Sequence, residues 1–247
     1  MSKPEVVSEA KWIAARRALL AEEKALSDAR DAVAEKRRAL PWARVTKAYV
    51  FEGADGPVSL SELFDGRSQL VVYHFMFGPE WAEGCPGCSL LCDHVDGARQ
   101  HFEHNDLSFV AVSRAPIGKL QDYRERMGWA FNWVSAVGND FNFDYRVSFP
   151  AGSREDGVIY NFEKMPDPEI DELPGASVFF RDHNGAIYHT YSSYGRGGEG
   201  FLGVYAWLDI APLGRRESSG DMSDWMRRHD QYETDGRTPP TPIGAQA

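Results

Sequence analysis

The stretch QLVVYHFMFGPEWAEGCPGCS, residues 69–89, decides the fold. Residues 69–77 read as a continuous, largely apolar run of the kind seen in a strand buried on both faces. A linker, 78–84, leads to Cys85-Pro86-Gly87-Cys88, and the pattern is helical from there to about residue 105. A buried strand, a short linker and a C-x-x-C opening a helix form a more specific combination than a bare pair of cysteines.

Thiol–disulfide exchange needs a thiolate nucleophile and a second thiol placed to resolve the mixed disulfide. A C-x-x-C at a helix start supplies both. The unpaired amides and the helix dipole favour a thiolate at Cys85, and such positions lower a cysteine pKa from about 8.5 to roughly 3.5–7.5. Cys88 lies one turn deeper on the same face. Pro86 suits an early helical position because it has no amide hydrogen to leave unpaired. Cys85 is the expected attacking thiol and Cys88 the resolving one, with Pro86 and Gly87 shaping the turn between them.

Outward from this stretch, residues 107–113 form a second buried strand closed by Arg114-Ala115-Pro116, and 117–127 are helical up to Gly128. Residues 131–136 suggest a short strand and 141–149 a short aromatic helix. Residues 151–174, rich in acids and prolines, read as an inserted loop. Strands at 177–180 and 186–191 meet across His183-Asn184-Gly185, and Asn-Gly is a strong hairpin signal. A closing helix spans 200–210. Upstream, 49–51 and 58–60 flank a turn and form a hairpin. The expectation is an α/β fold with a thioredoxin-like central mixed sheet flanked by helices.

Two segments lie outside that core. Residues 8–40 lack glycine and place Trp12, Leu19, Leu26, Val33 and Leu40 at intervals of seven. This is a long helix with a narrow apolar stripe. The stripe either packs on its own domain or joins two copies, and a homodimer through this helix is expected. The organisation is thus a helical arm over 1–40, a domain over 41–212, and a polar tail over 213–247.

The chain has 247 residues, 43% of them hydrophobic, enough to fill a core. A net charge of −10 argues against nucleic-acid binding. No apolar run reaches the roughly 18 residues of a membrane span. The first residues show no signal-type apolar core, so a cytoplasmic location is expected. The three cysteines fall between 85 and 92, a cluster unlike the dispersed, paired cysteines of secreted domains.

Other readings of the cluster stay open. Cys88 and Cys92 share a helix face and His94, His101 and His104 follow, so a metal site is conceivable; yet structural zinc sites normally bring two ligand pairs from separate segments. Cys92 by itself suits a packed core position. A binding module with incidental cysteines is a third possibility. No cofactor or metal is expected, and the substrate would be a protein or small-molecule thiol or disulfide.

Four motifs, V-V-Y-H-F-M-F-G-P-E-W-A-E-G-C-P-G-C-S (71–89), S-R-A-P (113–116), R-M-G-W (126–129) and H-T-Y-S-S-Y-G-R-G (189–197), together resemble a bacterial family of thioredoxin-like proteins. That family is catalogued as a domain of unknown function and described as predicted dithiol–disulfide oxidoreductases. The resemblance spans about 41–217 and implies the fold and a redox-active Cys85–Cys88 pair. More distantly, the hairpin before Leu63 and residues 182–185 look like peroxiredoxins, which makes a thiol peroxidase the alternative activity. Peroxiredoxins carry Thr or Ser three residues before the reactive cysteine, where this chain has Ala82. In thioredoxins a cis-proline faces the cysteines; its place falls here at Ala176 or Ser177, while the nearby proline is Pro174. The place of thioredoxin's buried strand acid resembles that of His74, which is read either as a hydrogen-bonded core histidine or as a supporting group that exchanges a proton with Cys88. Arg114, at the carboxyl end of the second parallel strand, is expected to face Cys85 and favour its thiolate, in a pocket shared with the loop 175–177 and residues 191–196.

Overall fold

The computed structural model describes residues 4–217 and 222–232. The chain divides into two units, 1–42 and 43–247. In the first, α1 spans Glu9–Arg38. Ser8 caps it, its hydroxyl accepting from the Lys11 amide at 3.4 Å, and Lys36, Arg37 and Arg38 complement the dipole in the last turn. No residue of α1 is buried; Trp12, Leu19, Leu26 and Val33 are each at least 43% exposed. No described helix is long and apolar enough to cross a membrane.

The second unit begins with β1 (Ala43–Arg44) and the hairpin β2 (Val50–Gly53) and β3 (Gly56–Ser59). Strand β4 (Gln69–His74) is followed by α2 (Pro86–Asp96), α3 (Arg99–His104), β5 (Leu107–Ser113), α4 (Ile117–Arg126), β6 (Asn132–Ser135) and α5 (Phe141–Asp144). Then come β7 (Val158–Tyr160), β8 (Glu163–Met165), β9 (Gly175–Arg181), β10 (Ile187–Tyr194) and α6 (Gly203–Ile210).

Among the described residues, eight strands form one sheet in the order β1-β10-β9-β4-β5-β6-β2-β3. Strands β4, β5 and β6 are parallel, joined through helices, and β9 lies antiparallel against β4 with β10 beside it. This is the thioredoxin arrangement, and the β2–β3 hairpin extends its far edge through Glu52 opposite Ser135. The β9–β10 turn follows its sequence signal: Gly185 has φ +82°, and the Asp182 carboxylate accepts from the Asn184 and Ala186 amides at 2.9 Å.

Strand alternation divides the interior in two. Tyr73, Phe75, Phe109, Ala111 and Trp133 point toward α2 and α4. Leu70, Val72, Val110, Val112 and Val134 point to the opposite face, against Phe51, Phe64 and Phe141. The helix expected to reach residue 105 breaks at Gly97 into α2 and α3. The segment 151–174, expected as a loop, holds the β7–β8 hairpin, whose turn residues Asn161 and Phe162 both have positive φ.

The polar tail expected from residue 213 also differs. Residues 222–232 pack on the domain: Met226 is 8% exposed, and Met222 and Trp225 lie against the helix-side core. Residues 218–221 and 233–247 of that tail lie outside the described residues.

Candidate active site

The linker 78–84 folds back so that the Cys85 amide donates to the Met76 carbonyl at 3.0 Å, just beyond β4. Gly84 is required there, because a Cβ on it would stand 2.7 Å from the Phe75 ring. Cys85 is the N-cap of α2 with Pro86 at the first helical position, and its carbonyl receives the first helical bond from the Ser89 amide at 3.0 Å. Both cysteines of the pair are free thiols, Cys85 partly buried and Cys88 only 2% exposed.

The two sulfurs titrate in opposite directions. The Cys88 thiol donates to Cys85, the Gly87 and Cys88 amides add further bonds, and Arg228 adds positive potential; against burial, these bring Cys85 down to about 7. Burial, followed by the neighbouring Cys85, drives Cys88 well above the ordinary thiol value. The Tyr73 hydroxyl and the Met76 amide, whose nitrogen is 3.4 Å from Cys88 Sγ, oppose that rise. The partly buried thiol at the helix start is thus the one that ionises more readily, while its neighbour holds its proton inside.

Tyr73, and not His74, is the strand residue that meets the deeper thiol. Consecutive strand residues face opposite sides. Tyr73 points to α2, hydrogen-bonded to Cys88 and with its hydroxyl pKa raised by burial. His74 points away: its ring nitrogens reach Ser177 Oγ at 2.9 Å and Asn142 Oδ1 at 3.4 Å, and it stacks on Tyr145. Burial lowers His74 to about 4, so it is neutral. Ser177 lies on the same far side, bonded to His74 and to Ser192. Neither His74 nor Ser177 reaches the cysteines, correcting the expectation for both.

A cavity of about 400 Å³ opens onto Cys85 and Cys88. Of the segments expected to line it, Gly175, Ala176, Tyr194 and Arg196 do so, while Tyr191 and Ser177 do not. Pro174 also lines it, and no described peptide bond is cis, so this proline enters the site in the trans form.

Arg114 belongs elsewhere. Its guanidinium pairs with Glu172 at 2.9 Å and covers the Phe143 ring, and it lines a second cavity with Trp81 and Arg154. Glu172 is 2% exposed and held at about 7 by burial, which the Ser148 hydroxyl and Arg114 partly offset. A buried carboxyl contributed by the insert 151–174 therefore claims the arginine.

The cation near Cys85 is Arg228, contributed by the supposed tail. It donates to the Gly84 carbonyl at 2.5 Å and to the Tyr123 hydroxyl at 2.9 Å, and pairs with Glu83 at 2.9 Å. Arg126 ties Glu83 to Asp230, and His229 contacts Asp93 at 2.8 Å, so residues 228–230 are anchored across α2 and α4. One local signal marked this segment: Met222, Trp225 and Met226 are apolar at positions i, i+3 and i+4 within an otherwise polar stretch.

Cys92 is fully buried, and burial, followed by Asp93 and Asp96, raises its thiol pKa. His94 is committed to structure: it reaches the Leu90 carbonyl at 2.7 Å and accepts from the Val204 amide at 2.9 Å, capping α6. Among the described residues, no three His, Cys, Asp or Glu side chains converge as metal ligands.

Several solved structures are similar to this chain. The peroxidoxin BcpB from Mycobacterium tuberculosis shares 15% identity, with 66% of this chain and 94% of that one covered and a TM-score of 0.45. The mitochondrial 2-Cys peroxiredoxin from Plasmodium falciparum shares 13%, covering 68% and 94%, with a TM-score of 0.40. A protein assigned as thiol:disulfide interchange protein DsbE from Chlorobium tepidum shares 13%, covering 66% and 99%, with a TM-score of 0.39. No curated protein matches the sequence. The family model described as "Bacterial protein of unknown function (DUF899)" matches residues 1–232, and the chain belongs to that family.

Proposed function

We propose that the protein is a thiol–disulfide oxidoreductase in which Cys85 attacks and Cys88 resolves. The observation that carries this reading is the asymmetry of the pair: Cys85 is partly exposed at the N-cap of α2 with its thiol lowered, while Cys88, one turn on, is buried with its thiol raised. The Cys85 thiolate attacks one sulfur of a disulfide R–S–S–R, joins R through a mixed disulfide, and expels the other half as a thiolate. Cys88 then gives up its proton and attacks Cys85 Sγ, which forms the Cys85–Cys88 disulfide and releases the second thiol. The substrate gains two electrons and two protons, and the dithiol loses the same. In the second step Tyr73 and the Met76 amide stabilise the developing Cys88 thiolate, because both hydrogen-bond to that sulfur. Reversed, the same sequence oxidises a substrate dithiol.

The roles are tested by trapping. Cys88→Ser, incubated with a small disulfide, should accumulate one mixed disulfide mapped by mass spectrometry to Cys85. Cys85→Ser should accumulate none. Adducts found only on Cys88 would reverse the assignment, and reduced wild-type protein that never forms the Cys85–Cys88 bond would end it.

A further inference from the structure

The segment 222–232 does more than supply a cation: it roofs the cysteines. A Cβ built on Gly87 would lie 3.4 Å from the Met222 sulfur and 3.6 Å from that of Met226, so both thioethers rest on the C-x-x-C turn itself. The segment is held there at two of its own residues. Arg228 grips the Gly84 carbonyl immediately before Cys85, and Met226 is packed into the core. A turn that would otherwise face solvent becomes one wall of a cavity.

That cavity, about 400 Å³, is within the range of small-ligand pockets, roughly 300–1,000 Å³. Its walls around the sulfurs include Leu91, Leu202, Met222 and Met226. Among the described residues, the charged ones that line it are Arg196 and Glu199, which pair with each other at 2.7 Å, and Glu199 also meets Arg215 at 3.5 Å. A charged group brought into such a site would lose hydration against described lining charges that already pair with each other, while an alkyl group would displace water from apolar walls. Methionines at a binding wall also adapt to varied apolar shapes.

Building on the exchange reaction proposed above, we infer that the substrate is a low-molecular-weight disulfide with an uncharged, apolar body, and that Met222 and Met226 exclude protein disulfides from Cys85. A polypeptide segment would have to lie across the turn that these two side chains cover.

The test is single-turnover oxidation of the reduced full chain by dipropyl disulfide, by cystine and by insulin. Each rate is divided by the rate of the same disulfide with dithiothreitol, which removes intrinsic reactivity. The normalised rate for dipropyl disulfide should exceed that for cystine by about tenfold or more, the scale on which an apolar pocket discriminates. Insulin should react slowest. Met222→Ala/Met226→Ala should raise the insulin rate about tenfold and narrow the preference between the two small disulfides. Arg228→Ala releases the roof from Gly84 while leaving both methionines in the chain; it should raise the insulin rate relative to that of dipropyl disulfide, a ratio from which the loss of the Arg228 charge beside Cys85 cancels, with folding of each variant checked by circular dichroism. Insulin reacting as fast with the unaltered chain as with the opened variants overturns the roof, and cystine matching dipropyl disulfide overturns the apolar substrate. Failure with all three disulfides overturns instead the exchange reaction on which the inference rests.

Discussion

Removing the Cys88 thiol tests the electrostatics of the site most directly. The hydrogen bond from Cys88 is the largest influence lowering Cys85, which is brought down to about 7. A hydrogen bond to a charged acceptor contributes roughly 1.5–3 kcal/mol, equivalent to about one to two pKa units. The Gly87 and Cys88 amides and Arg228 survive in Cys88→Ala, so the lowering should be partly kept. The expected midpoint is about 8 or slightly above. The assay is iodoacetamide alkylation of reduced protein between pH 5 and 10, read by mass spectrometry at Cys85. At pH 7 the thiolate fraction should drop from about one-half to about one-tenth. A more basic thiolate is also more nucleophilic, with a Brønsted slope of about 0.4–0.5, so the rate at that pH should fall only about twofold while the alkaline plateau rises about threefold. The midpoint is therefore the decisive reading. Arg114→Ala serves as a control and should leave it in place, because that guanidinium is engaged with Glu172. A midpoint unchanged in Cys88→Ala would assign the lowering to the helix amides, and a wild-type midpoint near 9 would refute the reasoning altogether.

Three further outcomes are expected. Tyr73→Phe removes a hydroxyl bonded to Cys88 and should slow resolution of the mixed disulfide by about tenfold or more, with the initial attack by Cys85 unchanged; quench-flow separation of the two steps checks this. His74, buried and lowered to about 4, binds fewer protons folded than unfolded below its ordinary 6.5, so its contribution is complete above that pH and is lost as pH falls toward 4. The loss totals on the order of 3 kcal/mol, and His74→Gln should flatten this part of the stability curve measured by urea unfolding. Finally, the exposed stripe of Trp12, Leu19, Leu26 and Val33 leads us to expect a homodimer in sedimentation, and Leu19→Glu/Leu26→Glu should yield a monomer; a monomeric wild type at micromolar concentration would remove the dimer.

The features legible in the sequence are those set by neighbours along the chain. Pro86 follows Cys85, Cys88 lies one turn on, and an N-cap thiol with a deeper partner results wherever that segment begins a helix. Likewise Asn184-Gly185 made the β9–β10 turn, and the long uninterrupted run of helix formers made α1. The sides of the sheet were not legible. A strand buried on both faces is apolar throughout, so its pattern holds no alternation to tell which residues face α2, and parity alone exchanges Tyr73 for His74. The place of Arg114 at a strand end is legible, but its partner Glu172 lies 58 residues away in an insert with no pairing signal. The segment from Met222 to Arg228 is mostly polar, and what brings it onto the cysteines is contact with Gly84, 144 residues upstream, and with the core beside α2. Sequence by itself determined the placing of Cys85 and Cys88 at a helix start and the main strands and helices around them, because local geometry sets them. Tertiary structure alone decided which tyrosine, which arginine and which methionines surround that pair, because those contacts depend on how distant segments close over one another.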